Sequence, residues 1–204
     1  MSDTYEENNI TAPTETYEWD NTWYEHTQDT VTPRILYIGD SISRGTYRKI
    51  TEYAQGKYYC DSLSTSKALD NPHFFNTVRL FHAQQNRCDA VIFNNGLHGW
   101  HLNDDTEYPL RYEEAIRFFL SEYKNTPLLL ALTTTVANPE REKRVCTRND
   151  AVKKLAAQYG LPIIDLYDVS TKNKQNQGSD GVHFTPSGYE LLARTICESI
   201  AKIL

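Results

Sequence analysis

The sequence predicts an α/β fold, a three-layer α/β/α sandwich with a central, mostly parallel sheet of five strands. Two observations predict it. Short and mostly continuous apolar runs recur along the chain, as expected of parallel strands that are buried on both faces. Between these runs lie segments whose apolar residues repeat with the spacing of a helix.

The five predicted strands are the apolar runs that are too short to be helices. Strands of buried sheets usually span about four to eight residues, whereas helices need about ten or more. The runs are Ile35–Ile38, Lys57–Cys60, Ala90–Phe93, Leu128–Thr133 and Pro162–Leu166.

Helical periodicity is clear in three of the intervening segments. Gly160 follows the second of them, where a C-terminal cap belongs, and Thr185-Pro186 is a start signal for the last one. The alternation therefore indicates a flavodoxin-like sheet, which binds ligands at the carboxyl ends of its strands. The apolar faces are Tyr112, Ala115, Ile116, Phe119 and Tyr123; Val145, Val152, Leu155, Ala156 and Tyr159; and Tyr189, Leu192, Ile196, Ile200 and Ile203.

Residues 1–32 form an acidic N-terminal arm that precedes a domain spanning 33–204. Within the first 30 residues there are eight acids and no lysine or arginine. We expect roughly the first dozen residues to be loose. Aromatic residues are rare in disordered segments, so we expect the part from Trp19 to Tyr24 to pack on the domain as an ordered arm.

The charge and hydropathy of the chain exclude some classes of partner. Without the eight acids of the arm, 19 acids stand against 21 bases, and no basic stripe is present to bind nucleic acid. The longest apolar run, Leu128–Leu132, is too short to span a membrane. The N-terminus lacks the basic and apolar regions of a signal peptide, so we expect a cytoplasmic location. The sequence gives no oligomeric state.

Three residues near the predicted strand ends can form a Ser-His-Asp triad. Ser41, in Gly39-Asp40-Ser41, follows the first strand, and Asp180 and His183 lie beyond the fifth strand, shortly before the last helix. In such a triad the histidine takes the proton of the serine hydroxyl, while the carboxylate orients the ring. Alternatively, Ser41 is only a helix N-cap, Asp180 a turn residue and His183 a partly buried surface group.

These two motifs together resemble the first and last motif blocks of the SGNH (GDSL-type) hydrolases, over roughly residues 34–204. The resemblance implies a serine esterase or lipase with Ser41 as nucleophile and Asp180 and His183 completing the triad. It implies no cofactor. His98 and His101 are close in sequence but lack a third ligand, so no metal site is predicted either.

The oxyanion donors cannot be carried over from that family, because the chain departs from its other two motif blocks. The family has a glycine after its second strand, where this chain has none, and Gly-x-Asn after its third, where this chain has Gly96-Leu97-His98. We therefore take the backbone N–H of Ser41, a backbone N–H near Ser66, and the side chain of Asn95 or His98 as candidate donors. Alternatively, Asn94–Gly96 forms only a turn.

The predicted function is a serine carboxylester hydrolase that removes a small acyl group, such as acetyl, from a carbohydrate. We assign Asp40, Trp100 and Trp23 to binding of this small-molecule or glycan ester. Two alternatives remain open. One is a lipid, lysophospholipid or acyl-thioester hydrolase with the same triad, and the other is a non-catalytic carbohydrate-binding protein with the same fold.

Overall fold

The computed structural model describes residues 12–85 and 87–204 as a sheet with helices on both faces. The predicted α/β/α sandwich is confirmed. A short 3-10 helix, Lys174–Asn176, precedes the last helix. The strands are β1 (Asp20–Trp23), β2 (Arg34–Gly39), β3 (Tyr59–Thr65), β4 (Ala90–Phe93), β5 (Leu128–Ala131) and β6 (Ile163–Ile164), and the helices are α1 (Ser41–Ala54), α2 (Phe74–Gln84), α3 (Glu107–Glu122), α4 (Pro139–Tyr159), α5 (Leu166–Lys172) and α6 (Pro186–Ile200).

The sheet has the strand order β1-β3-β2-β4-β5-β6. The last five strands of this order are parallel, as predicted, while β1 is antiparallel to β3 and raises the count from five to six. This sixth strand comes from the N-terminal arm. The strand that carries Ser41 at its carboxyl end, β2, lies at the centre, with β3 and β4 as its neighbours.

Of the five predicted strands, Ala90–Phe93 has the bounds that were predicted, and two of the others differ most from the structure. β3 runs to Thr65 instead of ending at Cys60, because its polar side chains have hydrogen-bond partners inside the protein. Asp61 pairs with Arg34 at 2.7 Å, and the hydroxyls of Ser62 and Ser64 are 3.1 Å apart. β6 is only two residues long, since the chain turns into α5 at Leu166.

Each face of the sheet has its own hydrophobic core. Alternate residues of β2 point to opposite sides, so Ile35 and Tyr37 pack with α1 and α6. Leu36 and Ile38 pack with α2 and α3 on the other side. Residues of β2 are buried throughout, which fixes the end of the strand, and hence the start of α1, in the middle of the molecule.

The predicted helix signals are confirmed. Gly160 adopts a left-handed conformation, φ +65°, at the end of α4. Thr185 caps α6 and accepts the N–H of Gly188, with Pro186 in the first helical position.

The N-terminal arm is described from residue 12 onward and adds the edge strand of the sheet. Its strand β1 pairs Asp20 with Thr65 and Trp23 with Ser62. The prediction that the first dozen residues are loose falls almost entirely outside the described residues, and the domain boundary near residue 32 stays a prediction. Among the described helices, none is long and apolar enough to cross a membrane.

Candidate active site

Ser41, His183 and Asp180 lie side by side at the carboxyl end of the sheet. His183 Nε2 is 2.8 Å from Ser41 Oγ, and His183 Nδ1 is 2.9 Å from Asp180 Oδ2. Asp180 Oδ1 also accepts the backbone N–H groups of Val182 and His183, each at 2.9 Å. The structure therefore brings together the three residues singled out in the sequence, in the order that a triad needs.

Local sequence explains why Ser41 stands at this point. β2 ends at Gly39, and the side chain of Asp40 caps the next helix by accepting the N–H of Ile42 at 2.9 Å. Ser41 is thus the first residue of α1, where backbone N–H groups have no intrahelical acceptor. These donors and the positive end of the helix favour negative charge beside the Ser41 hydroxyl.

The loop that carries Asp180 and His183 is held in place by hydrogen bonds to its backbone carbonyls. The N–H of Gly178 donates to the carbonyl of His183 at 2.6 Å, and Ala137 donates to the carbonyl of Gly181 at 2.7 Å. Gly181 has φ +72°, a conformation that favours glycine. The side-chain amide of Gln177 also donates to the carbonyl of Gly181, at 3.0 Å. These contacts keep the imidazole facing Ser41.

The two aspartates of the site have pKa values shifted in opposite directions. Burial acts to raise the pKa of Asp180, but the N–H groups of Val182 and His183 and the His183 ring outweigh it and hold that pKa below its usual value. For Asp40, burial dominates and raises the pKa, against the opposing influence of His98, the N–H of Ile42 and His183. Asp180 is therefore the carboxylate that stays ionised beside the imidazole.

Of the candidate oxyanion donors after β3 and β4, two are engaged elsewhere. The N–H of Ser66 donates to the carbonyl of Trp19 at 3.1 Å, so the structure does not bring it to the site as a donor. The side-chain amide of Asn95 donates to the carbonyl of Lys67 at 2.8 Å. Both contacts bind neighbouring loops together, which the sequence alone did not indicate.

The third candidate, His98, is buried and lies against the arm. Its Nδ1 is 2.8 Å from Glu15 Oε1. An imidazolium at His98 would lower the pKa of Asp40, the residue before Ser41. The strand that precedes the His98 loop, β4, pairs with β2, and β2 ends just before Ser41.

The loop that carries His98 is clamped by one buried arginine of α4. The guanidinium of Arg148 donates to the carbonyls of Gly96, His98 and Gly99 at 3.0, 2.7 and 2.8 Å, and to Asp104 Oδ1 at 2.6 Å. Burial lowers the pKa of Arg148, and the charges of neighbouring groups such as Asp104 offset part of this decrease. The loop is fixed in place by these four bonds.

Comparison with known proteins identifies the family. The sequence profile described as "GDSL-like Lipase/Acylhydrolase family" matches residues 37–191. The chain belongs to this family. The resemblance stated from the two motifs is thereby confirmed, and so is the prediction of an ester-hydrolysing enzyme. No curated protein matches the chain in sequence.

Solved structures of GDSL-type and related enzymes share the fold. A lipase/acylhydrolase from Enterococcus faecalis is 20% identical with a TM-score of 0.65, over 84% of this chain and 96% of that one. The C-terminal catalytic domain of peptidoglycan O-acetyltransferase A from Streptococcus pneumoniae is 17% identical with a TM-score of 0.65, over 85% and 95%. The acetyl xylan esterase AlAXEase is 17% identical with a TM-score of 0.64, over 82% and 99%.

The three residues assigned to substrate binding have other contacts in this GDSL-type chain. Asp40 is buried and caps α1. Trp100 is buried, with Arg148 4.5 Å from its ring. Trp23 stacks with Arg48 at 4.3 Å and donates its indole N–H to Glu25. The structure thus gives each of them a packing or capping contact, and their assignment to substrate stays a prediction.

Sequence reasoning missed the contact between the arm and the loop that carries His98. The ring of Trp19 meets His98 edge-on at 6.2 Å, and Arg44 lies 5.3 Å from the same ring. Glu15 is one acid among eight in the arm, and nothing local distinguishes it. The aromatic content predicted that the arm packs, but not that Trp19 is the ring in contact with His98.

The two histidines weighed as a metal pair contact different carboxylates. His98 contacts Glu15, whereas His101 Nε2 is 2.8 Å from Asp70 Oδ2. Within the described part of the chain, no group of three or more His, Cys, Asp or Glu side chains is placed to hold a metal ion.

Proposed function

We propose that this GDSL-type enzyme is a serine carboxylester hydrolase that works through an acyl-enzyme. The observation that carries the proposal is the pair of hydrogen bonds from Ser41 through His183 to Asp180, at 2.8 and 2.9 Å. Each member has the geometry its role needs before any substrate is bound.

The reaction proceeds in two halves. Ser41 Oγ attacks the ester carbonyl carbon while its proton passes to His183 Nε2, and the carbonyl oxygen becomes an oxyanion. The oxyanion collapses, the alcohol leaves with the proton from His183, and the acyl group stays on Ser41. Water then attacks the acyl-enzyme, His183 takes its proton, and the acid leaves as Ser41 recovers the proton.

Asp180 stabilises the imidazolium that forms in each half. It accepts the Nδ1–H of His183, which fixes the tautomer with Nε2 facing Ser41. Since the pKa of Asp180 lies below its usual value, this carboxylate keeps its charge over the whole range in which histidine exchanges protons.

Two groups support the oxyanion in this proposal. The backbone N–H of Ser41 points from the start of α1, where the helix dipole adds positive charge. The second is the His98 ring, which stands where the GDSL-type family carries an asparagine and whose charge acts on the neighbouring Asp40.

The substrate we propose is a small acyl ester, acetyl in the first place, of a carbohydrate. The Trp19 ring and the guanidinium of Arg44 lie beside the start of α1 and offer a stacking surface and a hydrogen-bond donor to a sugar. Two enzymes with the same fold are named for such chemistry, the acetyl xylan esterase and the peptidoglycan O-acetyltransferase. A cytoplasmic location and the absence of a nucleic-acid partner stay predictions.

A chain-length series tests this proposal. Wild type and Ser41→Ala are assayed on nitrophenyl acetate, butyrate and octanoate, and on acetylated oligosaccharides with release of acetate measured. We expect kcat/KM to be highest for acetate and the Ser41→Ala variant to lose turnover by about a thousandfold or more. A preference for octanoate would instead indicate a lipid hydrolase, and unchanged turnover in Ser41→Ala would exclude the triad.

A further inference from the structure

A second buried carboxylate–imidazole pair lies beside the proposed triad. Glu15 of the arm and His98 of the loop after β4 meet at 2.8 Å, and their side chains are 6% and 0% exposed. A carboxylate this deeply buried is stable only when its charge is compensated. The contact joins residues 83 positions apart, so the folded arm creates it.

The arm holds Glu15 in place through its own contacts. The backbone N–H of Glu15 donates to Glu18 Oε1 at 2.8 Å. Trp19 then anchors the segment to the loop after β3, since its N–H donates to Ser66 Oγ at 2.8 Å and its carbonyl accepts the N–H of Ser66. Glu15 therefore approaches His98 from a fixed direction.

The protonation of the His98 ring decides what it offers to a substrate. With Nδ1–H directed at Glu15, a neutral ring presents Nε2 as an acceptor only, and a protonated ring presents Nε2–H as a donor. An oxyanion needs a donor. As long as Glu15 accepts the Nδ1–H, only the imidazolium form of His98 can also donate through Nε2 in the reaction proposed above.

Charges around His98 favour that form. Glu15 contacts Nδ1, and Asp40 at the end of β2 lies within reach of the ring's charge. Arg148 of α4 opposes them, but its guanidinium is directed at backbone carbonyls, including that of His98, and at Asp104. Arg44 of α1 lies 5.3 Å from the Trp19 ring, which itself contacts His98. The carboxylate of Glu15, in direct contact with the ring, therefore has the strongest hold on its protonation.

We propose that Glu15 is a positioning residue that keeps His98 protonated and orients its Nε2–H toward the oxyanion formed on the ester carbonyl. This rests on the proposed acyl-enzyme mechanism and adds the arm to the active site. No proton leaves His98 during turnover, because the ring donates a hydrogen bond and the proton transferred in the reaction travels through His183.

Ring protonation is measured directly on the wild-type protein by the ¹⁵N shifts of His98. Near neutral pH both nitrogens should show the shifts of an imidazolium, and in Glu15→Gln the ring should lose its Nε2 proton at lower pH than in wild type. A neutral wild-type ring would overturn the proposal. This readout needs no catalysis, so it remains informative even if Ser41 proves not to be the nucleophile.

Kinetics of Glu15→Gln test the consequence, with Glu25→Gln, at another acid of the arm, as the matched control. The glutamine side chain of the first variant can still accept the Nδ1–H but lacks the charge, whereas the carboxylate of Glu25 accepts the indole N–H of Trp23. Loss of an oxyanion donor commonly lowers turnover about a hundredfold to a thousandfold, so weakening it should lower kcat by about tenfold or more. We expect little change in KM and an alkaline limb of the pH profile that moves to lower pH. Equal profiles for the two variants would contradict the proposal.

The His98→Asn background separates this role from a merely structural one. An asparagine amide donates without titrating, so Glu15→Gln should change kcat much less in that background than in wild type. The same loss in both backgrounds would mean that Glu15 only supports the fold of the arm, and the proposal would be wrong.

Discussion

Removal of the Arg148 guanidinium should destabilise the loop that carries His98. The side chain is fully buried and makes three hydrogen bonds to carbonyls of the loop, at 2.7 to 3.0 Å, and one to Asp104. In Arg148→Met these carbonyls lose their donors while the volume of the side chain is nearly kept.

The magnitude follows from the groups left without partners. A buried carbonyl without its donor costs about 1–3 kcal/mol, and loss of one member of a buried ion pair costs about 3–5 kcal/mol. Asp104 keeps Arg144 as a partner, so we take the low end of the ion-pair range for the loss of its contact with Arg148. We expect Arg148→Met to lower the free energy of unfolding by about 6 kcal/mol or more, a large part of the usual total for a domain.

Urea denaturation followed by circular dichroism measures this change. Arg148→Lys, which keeps a charge and three donors, should lose about half as much and should remain folded, with a lower kcat because His98 is held less firmly. Lys153→Met is the control on the same helix, since Lys153 is half-exposed and pairs only weakly, at 3.6 Å, with Asp150. If Arg148→Met unfolds at the same urea concentration as Lys153→Met, the reasoning is wrong.

Three further predictions concern residues around the site. Burial raises the pKa of Asp40 in the folded protein above the value of about 3.9 in the unfolded chain. Between these two pKa values the folded protein binds more protons than the unfolded chain, so the free energy of unfolding falls as the pH rises through this window. Asp40→Asn keeps the cap and should be at least as stable as wild type near neutral pH, with the difference vanishing below about pH 4 in urea titrations; a difference that grows on acidification would contradict this. A Cβ at position 96 would overlap the Thr133 side chain, so Gly96→Ala should lower the unfolding free energy by about 1–3 kcal/mol and recover part of it in combination with Thr133→Ala. Trp19→Ala should raise KM for an acetylated oligosaccharide several-fold, whereas Tyr24→Ala, which removes an arm ring stacked on Phe81, should leave it near the wild-type value; equal KM values would remove Trp19 from the substrate site.

Local signals in the sequence were sufficient to identify the five parallel strands, although not the full length of β3. Runs such as Ala90–Phe93 are apolar because both faces of the strand are buried, and this property can be read without knowing the partners. The same holds for the motifs at Ser41 and Asp180–His183, because strand order in such a sheet brings the carboxyl ends together.

Features that depend on long-range pairing could not be predicted. The second half of β3 is polar, and its burial is possible only because Arg34 neutralises Asp61 and the arm pairs along its edge. The contact of Glu15 with His98 and that of Ser66 with Trp19 arise from the register of β1. A one-residue shift of that strand would turn other side chains inward, and the sequence of the arm does not specify the register locally.

Fluorophosphonate labelling tests the central claim most directly, because only a serine activated by a general base reacts readily with this probe. Wild type is labelled near neutral pH and the adduct is mapped by mass spectrometry, alongside Ser41→Ala, His183→Ala and the control Ser43→Ala, whose hydroxyl bonds to Ser64 on the neighbouring strand. The account predicts one adduct on Ser41 in wild type and in Ser43→Ala, none in Ser41→Ala, and labelling slowed by orders of magnitude in His183→Ala. An adduct on another residue, or equal labelling of Ser41 with and without the His183 ring, would contradict it.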